Sequence, residues 1–429
     1  MLSTVGSLGD LHPFIALARS LQALGYEAIL ATFGSYRGRI EAEGLGFHEV
    51  RPDWPEILGG LGIELPELVR RVSTDESFLI RKVIVPYLRP HYEDMLAATE
   101  RADMVVTHPL AVAGQLAAER RGLPRINVAL APIYLLSAYD PPHGPRYPLA
   151  VDPKSFWAVE YNRAILGLAR TAAGLLVHPV RRLRRQIGLP PAADEPFFTG
   201  ARTARATVAL YSPLLGQSQP DHPPNCEIVG FTFHDSDGAG RELEPELEAF
   251  LAAGPPPLVF TLGSFAVHGP RDFYSASRAA ARALGQRAVI LSTAEDRDRA
   301  EPSPDLITCA YVPHSLLFPR AAAVIHHGGV GTTGQALRAG KPQLVVPFLG
   351  DQPDNGARIQ ALGVGRVLES RRYDPERAAS ELRLLLESPR YGRRAAEVGR
   401  IVSREDGAAR GAELIDRQVR LGAGAGRAA

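Results

Sequence analysis

Two successive sets of short apolar runs, each interleaved with helical periodicity, constrain this chain more than any other feature. In the first half the runs are 1–5, 27–32, 104–107 and 126–130; in the second they are 258–262, 288–291, 323–326 and 343–347. Helical spacing of apolar residues fills the gaps, for example over 13–24 and 271–284. Short buried runs alternating with helices are the pattern of strand–helix–strand units, whose parallel sheets are covered on both faces. One such sheet organises a domain of roughly 200 residues, and the chain has 429. The expected fold class is therefore α/β, with two doubly wound, Rossmann-like domains.

The boundary between them is marked by composition. Residues 212–224 contain four prolines among polar spacers, a stretch unsuited to a regular core element. The expected division is a first domain over 1–211, a linker and entry over 212–232, a second domain over 233–400, and a closing helix with its tail over 401–429. That last helix is free to pack back on the first domain. The run 1–5 reads as the end of a buried strand, so a few upstream residues are expected in the native protein.

Charge and cysteine content exclude several function classes. Lysine plus arginine number 48 against 47 acids, so nothing favours a nucleic-acid partner. The cluster Arg181, Arg182, Arg184 and Arg185 reads as a solvated helix face. Cys226 and Cys309 have neither disulfide nor metal spacing. With no membrane-spanning run and no leader peptide in the sequence, a cytoplasmic protein is expected. Two Asp-x-Asp strings, Asp235 with Asp237 and Asp296 with Asp298, lie in charged loops and read as solvated surface rather than metal ligands.

Two turns carry the chemistry. The first, Gly6-Ser7-Leu8-Gly9-Asp10-Leu11-His12-Pro13, joins the first strand to a helix. In an open α/β sheet the ligand crevice lies at the carboxyl ends of the strands, where this turn falls. Asp10 there is either a helix cap or a general base that takes a proton from a hydroxyl. His12 is the rival base, with a pKa suited to the task.

The second turn is His326-His327-Gly328-Gly329-Val330-Gly331-Thr332-Thr333-Gly334-Gln335, after an apolar strand and before a helix. Glycines permit close backbone approach, and a helix N-terminus presents free N–H groups to a diphosphate. His327 and Thr332 add donors to the phosphates. Gly329-x-Gly331-x-x-Gly334 also matches the dinucleotide fingerprint, with Asp351 near the spacing of a ribose-binding acid. Asp351 and Gln352 suit sugar hydroxyls, the bland alternative for Asp351 being a helix cap. Ser264, Tyr311 and Val312 complete the donor-side candidates, the serine toward the diphosphate and the tyrosine as a stacking surface.

These residues resemble the family 1 glycosyltransferases of the GT-B fold. Gly6 to Asp10 with Pro13 resembles the family's acceptor-side motif, and Tyr311-Val312-Pro313-His314 through Asp351, Gln352 and Asn355 resembles its donor signature. Within the family the chain is most similar to the bacterial rhamnosyltransferases of rhamnolipid synthesis, through 257–264, Asp272-Phe273-Tyr274 and Leu135-Leu136-Ser137-Ala138. The resemblance implies two domains facing each other across a cleft. It implies Asp10 as general base, His327 and Thr332 on the diphosphate, and Asp351 with Gln352 on the donor sugar.

Three departures matter. Gln335 stands where many uridine-dependent members carry a glutamate on the ribose, which leaves deoxythymidine open. Tyr311 replaces the usual stacking tryptophan. His108 stands where plant members have an aspartate paired with their catalytic histidine, which suggests that Asp10 and His108 form that dyad with its members exchanged.

The expected activity is an inverting, metal-independent transfer of a hexose from dTDP-rhamnose or UDP-glucose to a hydroxyl of an apolar small molecule or lipid. The nucleotide sugar is a co-substrate and no other cofactor is expected; a peripheral membrane contact is left open. His12, Tyr87, Tyr134 and Leu135 are the acceptor-side candidates, with Leu61, Leu65, Phe78 and Ile84 as further apolar wall. The rival readings are a catalytically silent binding protein of the same fold and, more weakly, an NAD-dependent oxidoreductase or a sugar epimerase.

Overall fold

The structure, a computed structural model, describes residues 1–192, 197, 200–234, 242–263, 271–298 and 303–425. Among these, thirteen strands form two parallel sheets. The first holds β1 (Leu2–Ser3), β2 (Ile29–Thr32), β3 (Gly46–Glu49), β4 (Val105–Thr107), β5 (Arg125–Ala129), β6 (Ala206–Ala209) and β7 (Cys226–Ile228) in the order β3-β2-β1-β4-β5-β6-β7. The second holds β8 (Leu258–Thr261), β9 (Ala288–Leu291), β10 (Leu306–Cys309), β11 (Ala323–His326), β12 (Gln343–Val345) and β13 (Gly365–Val367) in the order β10-β9-β8-β11-β12-β13. Both orders reverse direction once, between β1 and β4 and between β8 and β11. A crevice opens at such a reversal, outside the carboxyl ends of the strands.

Sequence periodicity marks every central strand except β6, and it misses the edges. Strands β3, β7, β10 and β13 are the four sheet edges, and none carries an uninterrupted apolar run. An edge strand packs less completely, so its residues need not all be apolar. β7 falls inside the stretch read as linker and pairs with β6.

The first helix spans Leu8–Ala23, five residues earlier than the periodicity indicates. Ser7 caps it, accepting from Gly9 N, while Asp10 reaches back to Ser7 N at 2.8 Å. This reciprocal box satisfies two donors that a helix start leaves open. Pro13 consequently lies inside the helix rather than in its first turn.

Ala412, Leu414 and Ile415 of the last helix, Gly407–Ala425, join the first domain's core beside Leu11, Phe14 and Leu17. Tyr26 donates to Asp416 at 2.6 Å on the same seam. Between the domains, Leu135, Ala209 and Tyr211 of the first, with Leu215 of the linking stretch, pack with Leu337, Val345 and Ile359 of the second. A cavity of about 1340 Å³ opens at the opposite, amino-terminal edge of the first sheet, among Met1, Met104 and Arg125, away from the crevice.

Candidate active site

The reversal in the first sheet places two residues that are 98 positions apart in sequence side by side. Asp10 follows β1, His108 follows the adjacent β4, and His108 Nε2 stands 3.8 Å from Asp10 Oδ1. That gap is longer than a hydrogen bond, and neither ring nitrogen of His108 has a hydrogen-bond partner among the described residues. The imidazole is fully buried, with the Phe14 and Tyr134 rings edge-on to it. Burial lowers its pKa against the pull of the Asp10 charge, so the ring is neutral.

Asp10 is not the helix cap that one reading made it. Ser7 takes that position, and Asp10 Oδ2 accepts from Ser7 N and Oγ, leaving Oδ1 toward His108. Gly6 has φ +132, and a side chain there would collide with the Asp10 carboxylate. Tyr36, which the sequence did not single out, donates to Gly6 O at 2.9 Å and braces the turn.

The second reversal builds the facing wall. Gly263 lies two residues beyond the end of β8, and His327 follows β11. A Cβ on Gly263, whose φ is +68, would lie 2.6 Å from His327 Cε1, so only glycine lets the ring sit there. The two histidines of the pair divide: His326 is structural, accepting at Nδ1 from Gly328 N (3.0 Å) and facing Gln343 Oε1 from Nε2 (2.8 Å). His327 is held neutral, its pKa lowered to about 3 by burial and by His326 and His314. The helix Val330–Arg338 starts at Gly329 with no side chain capping it, which leaves its first N–H groups available to an anion. Gly331, Thr332 and Gln335 lie in that helix, and both Thr332 and Gln335 are buried. Val330 packs against the first domain's core, bringing the start of this helix up to the first.

Asp351 occupies the N-cap position of the helix Gln352–Ala361, but its side chain makes no capping bond. Its carboxylate accepts from Asn355 Nδ2 at 2.7 Å. Burial raises its pKa to about 7, helped by the charges of Asp10 and Asp354 and opposed by the Asn355 bond. Gln352 Oε1 accepts from Phe348 N and Leu349 N, so its amide nitrogen is the group left to meet a ligand. Asp351 and Asp10 both act on Tyr134, pushing its ionisation up beyond the effect of burial. Asp10, His108, Tyr134 and Asp351 therefore form one neighbourhood spanning the cleft.

Half-buried Tyr36, Trp54, Leu61, Leu65, Phe78 and Tyr87, with Leu349 of the second domain, line an apolar cluster next to this neighbourhood. Leu135 and Ile84 are instead core residues, Leu135 in the interdomain seam. His12 is surrounded by His234, Arg39 and His314, and burial lowers its pKa to about 3, which removes it as a base at neutral pH. Tyr311 is exposed beside buried Val312. Ser264 and the pair Asp235 and Asp237 lie outside the described residues. Asp296 is not solvated surface: Arg278 grips it with two bonds of 2.6 and 2.9 Å. No three potential metal ligands cluster among the described residues.

A loop of the first domain ties the donor side down, a feature with no sequence motif to mark it. Buried Arg358 bonds Asp354 at 2.8 Å, Asp140 at 2.8 and 3.1 Å, and Leu215 O at 2.7 Å. His143 N donates to Asp354 at 2.7 Å, and Arg146 bridges Glu76 and Phe348 O. Glu76 in turn accepts from Gly350 N, next to Asp351.

Residues 1–138 match the glycosyltransferase family 28 N-terminal domain, and residues 279–411 match the erythromycin biosynthesis protein CIII-like C-terminal domain. The O-mycaminosyltylonolide 6-deoxyallosyltransferase of Streptomyces fradiae is 31% identical over 97% of this chain and 96% of its own length. The chain is a GT-B glycosyltransferase of the family 1/28, EryCIII-like type. The vancomycin aglycone glucosyltransferase of Amycolatopsis orientalis is also 31% identical, again over 97% of this chain and 96% of its own. In fold, the spinosyn rhamnosyltransferase SpnG complexed with thymidine diphosphate superposes with a TM-score of 0.65 at 19% identity, covering 97% of this chain and 99% of that one. Family membership makes this glycosyltransferase an enzyme that takes a nucleotide-sugar donor. It sets aside the silent-protein and epimerase readings of the fold and the nicotinamide reading of the Gly329–Gly334 string.

Proposed function

We propose that this glycosyltransferase moves a hexose, with inversion and without a metal, from a nucleotide diphosphate sugar to a hydroxyl of an apolar small molecule or lipid. The observation that carries the reading is the opposition of Asp10 and His108 to Asp351, Gln352 and the uncapped helix Val330–Arg338, beside the apolar cluster around Trp54 and Tyr87.

Asp10 removes the proton of the acceptor hydroxyl as its oxygen forms a bond to the anomeric carbon. The bond from that carbon to the diphosphate breaks on the opposite face. Asp10 keeps that proton until the product leaves, and neutral His108, 3.8 Å away, is the second member of the pair that holds the carboxylate in place. The N–H groups of Val330, Gly331 and Thr332, with His327, take up the charge developing on the leaving diphosphate. Asp351 and the Gln352 amide hold the sugar hydroxyls, and Tyr311 with Val312 carries the base. Ser264 belongs to the same donor set by its place after Gly263.

The donor reading is a deoxythymidine or uridine diphosphate sugar, dTDP-rhamnose or UDP-glucose. Gln335 in place of a glutamate favours the deoxynucleotide, and the thymidine diphosphate bound by SpnG is in keeping with it. The likeness to the rhamnosyltransferases of rhamnolipid synthesis rests on the quoted motifs and points to rhamnose and a hydroxy-acyl acceptor. Tyr87 and Tyr134 line the acceptor side, with Leu135 beneath them and His12 at the rim.

Thermal stabilisation by UDP, dTDP, GDP and their sugar conjugates, followed by product analysis with excess chelator, tests this. Stabilisation by a dTDP or UDP sugar and a product of inverted anomeric configuration are expected. A retained configuration, or activity abolished by chelator, overturns the mechanism.

A further inference from the structure

Seven of the twelve large apolar side chains exposed among the described residues fall between Leu149 and Leu175. They centre on the helix Phe156–Leu176. At about 100° per residue, Trp157, Tyr161, Ala164, Leu168 and Leu175 share an arc of about 60° on that helix. This arc faces solvent: Trp157 is 78% exposed, Leu168 67% and Leu175 80%. The opposite face, Val159, Asn162 and Leu166, is the buried one. The helix is thus apolar on both sides, which a helix packed on one core does not require.

The charge around the stripe is one-sided. At its amino-terminal end Lys154 pairs with Asp152 and Arg163 with Glu160. At its carboxyl-terminal end Arg181, Arg182 and Arg185 are exposed on the following helix, His178–Gln186, and the Arg181 guanidinium lies against Gly174 in the last turn of the stripe's own helix. The fourth arginine of that cluster is spent internally, Arg184 binding Glu119 with two bonds of 2.6 and 2.7 Å.

We propose that this face docks the enzyme on an anionic lipid surface. A helix with tryptophan and tyrosine on an outward apolar stripe and arginines alongside lies in the headgroup boundary, its apolar side chains inserted and its cations on lipid phosphates. A second copy is a poorer occupant. Pairing two such helices antiparallel sets the three arginines against an end whose acids are already paired with Lys154 and Arg163.

The docked helix is also joined to the acceptor side. Asn162 holds Ala138 O and Val151 O, and Arg170 donates to Leu136 O. Leu136 sits at φ +44, two residues after Tyr134. The surface that meets lipid and the loop that meets an apolar acceptor are therefore one unit. This link to acceptor delivery rests on the proposed function, whereas the docking itself does not.

The test uses the full chain with vesicles of phosphatidylcholine alone or mixed with phosphatidylglycerol. Co-sedimentation is expected with the mixed vesicles, together with a blue shift of tryptophan emission that Trp157→Phe abolishes. Trp157→Ser/Leu168→Ser/Leu175→Ser, and separately Arg181→Gln/Arg182→Gln/Arg185→Gln, should each weaken binding roughly tenfold or more. Both should keep the wild-type melting temperature, because the altered side chains are exposed. No binding to mixed vesicles, or equal binding by the serine variant, overturns the proposal. So does a dimer in light scattering that the serine variant dissociates, which would make the stripe a contact between copies. None of these readouts needs turnover, so failure here leaves the transferase reading untouched.

Discussion

Replacing Arg358 by methionine tests the tie between the domains most directly. The side chain is 6% exposed and serves Asp354, Asp140 and Leu215 O through four bonds of 2.7–3.1 Å. Methionine fills much of the volume, so the cost comes chiefly from two carboxylates left without their cation. Breaking a buried ion pair from one side costs about 3–5 kcal/mol. Asp354 keeps the His143 amide and Asp140 keeps the His143 ring, which places the expectation near the lower end, about 3 kcal/mol.

Urea unfolding followed by circular dichroism and tryptophan emission measures the loss, and Asp140→Asn/Arg358→Met supplies the cycle. The double variant should recover part of it, with a coupling of about 1 kcal/mol or more. Burial works to raise the Asp140 carboxyl, but His143 and Arg358 prevail and hold it below its usual range. Its contribution is therefore present above the unfolded pKa and is lost as pH falls through the folded one. The gap between wild type and Arg358→Met should accordingly narrow below about pH 4. A loss under about 1 kcal/mol at pH 7, or strictly additive variants, would refute the reasoning.

Asp10→Asn keeps an acceptor for Ser7 N but removes the base, so kcat should fall about 10²–10⁴-fold with the melting temperature nearly unchanged; initial rates of nucleotide release decide it. His108→Gln should lower kcat less and leave the donor KM in place, and additive losses in the double variant would argue against a dyad. In its proposed role the Asp351 carboxyl, raised to about 7 by burial, accepts from sugar hydroxyls far more strongly when ionised. Nucleotide-sugar affinity, measured by calorimetry, should thus be about tenfold weaker at pH 6 than at pH 8. The bare nucleotide should show no such change, nor should Asp351→Asn with the sugar. Gly263→Ala forces a Cβ onto His327 and should raise the dissociation constant of the nucleotide diphosphate, while Gly6→Ala should displace Asp10 and depress kcat instead.

Much of the fold was legible because central parallel strands are covered on both faces and must be apolar throughout. The edge strands β3, β7, β10 and β13 escaped because that requirement does not apply to them. The two turns were legible for a related reason: a strand that ends at a crevice needs glycine where the backbone turns and polar groups where the ligand sits. Gly6 to Asp10 and Gly328 to Thr332 carry that need in consecutive residues.

What pairs across the chain was legible in one case alone, the Asp10 and His108 pair that the family resemblance suggested. Asp10 and His108 meet because β1 and β4 are neighbours in the sheet, a fact of strand order rather than of spacing. Tyr36 and Arg358 carried no motif, and Arg358 acquires its role only when Asp140 arrives from the other domain. The outward stripe of Phe156–Leu176 has the composition of a core helix, and only packing decides which of its two apolar faces is covered. The sequence by itself determined the sheet-forming runs and the glycine-lined turns at their carboxyl ends. Tertiary structure decided which carboxylates are isolated from water, and hence which of them are neutral, which are paired and which are poised.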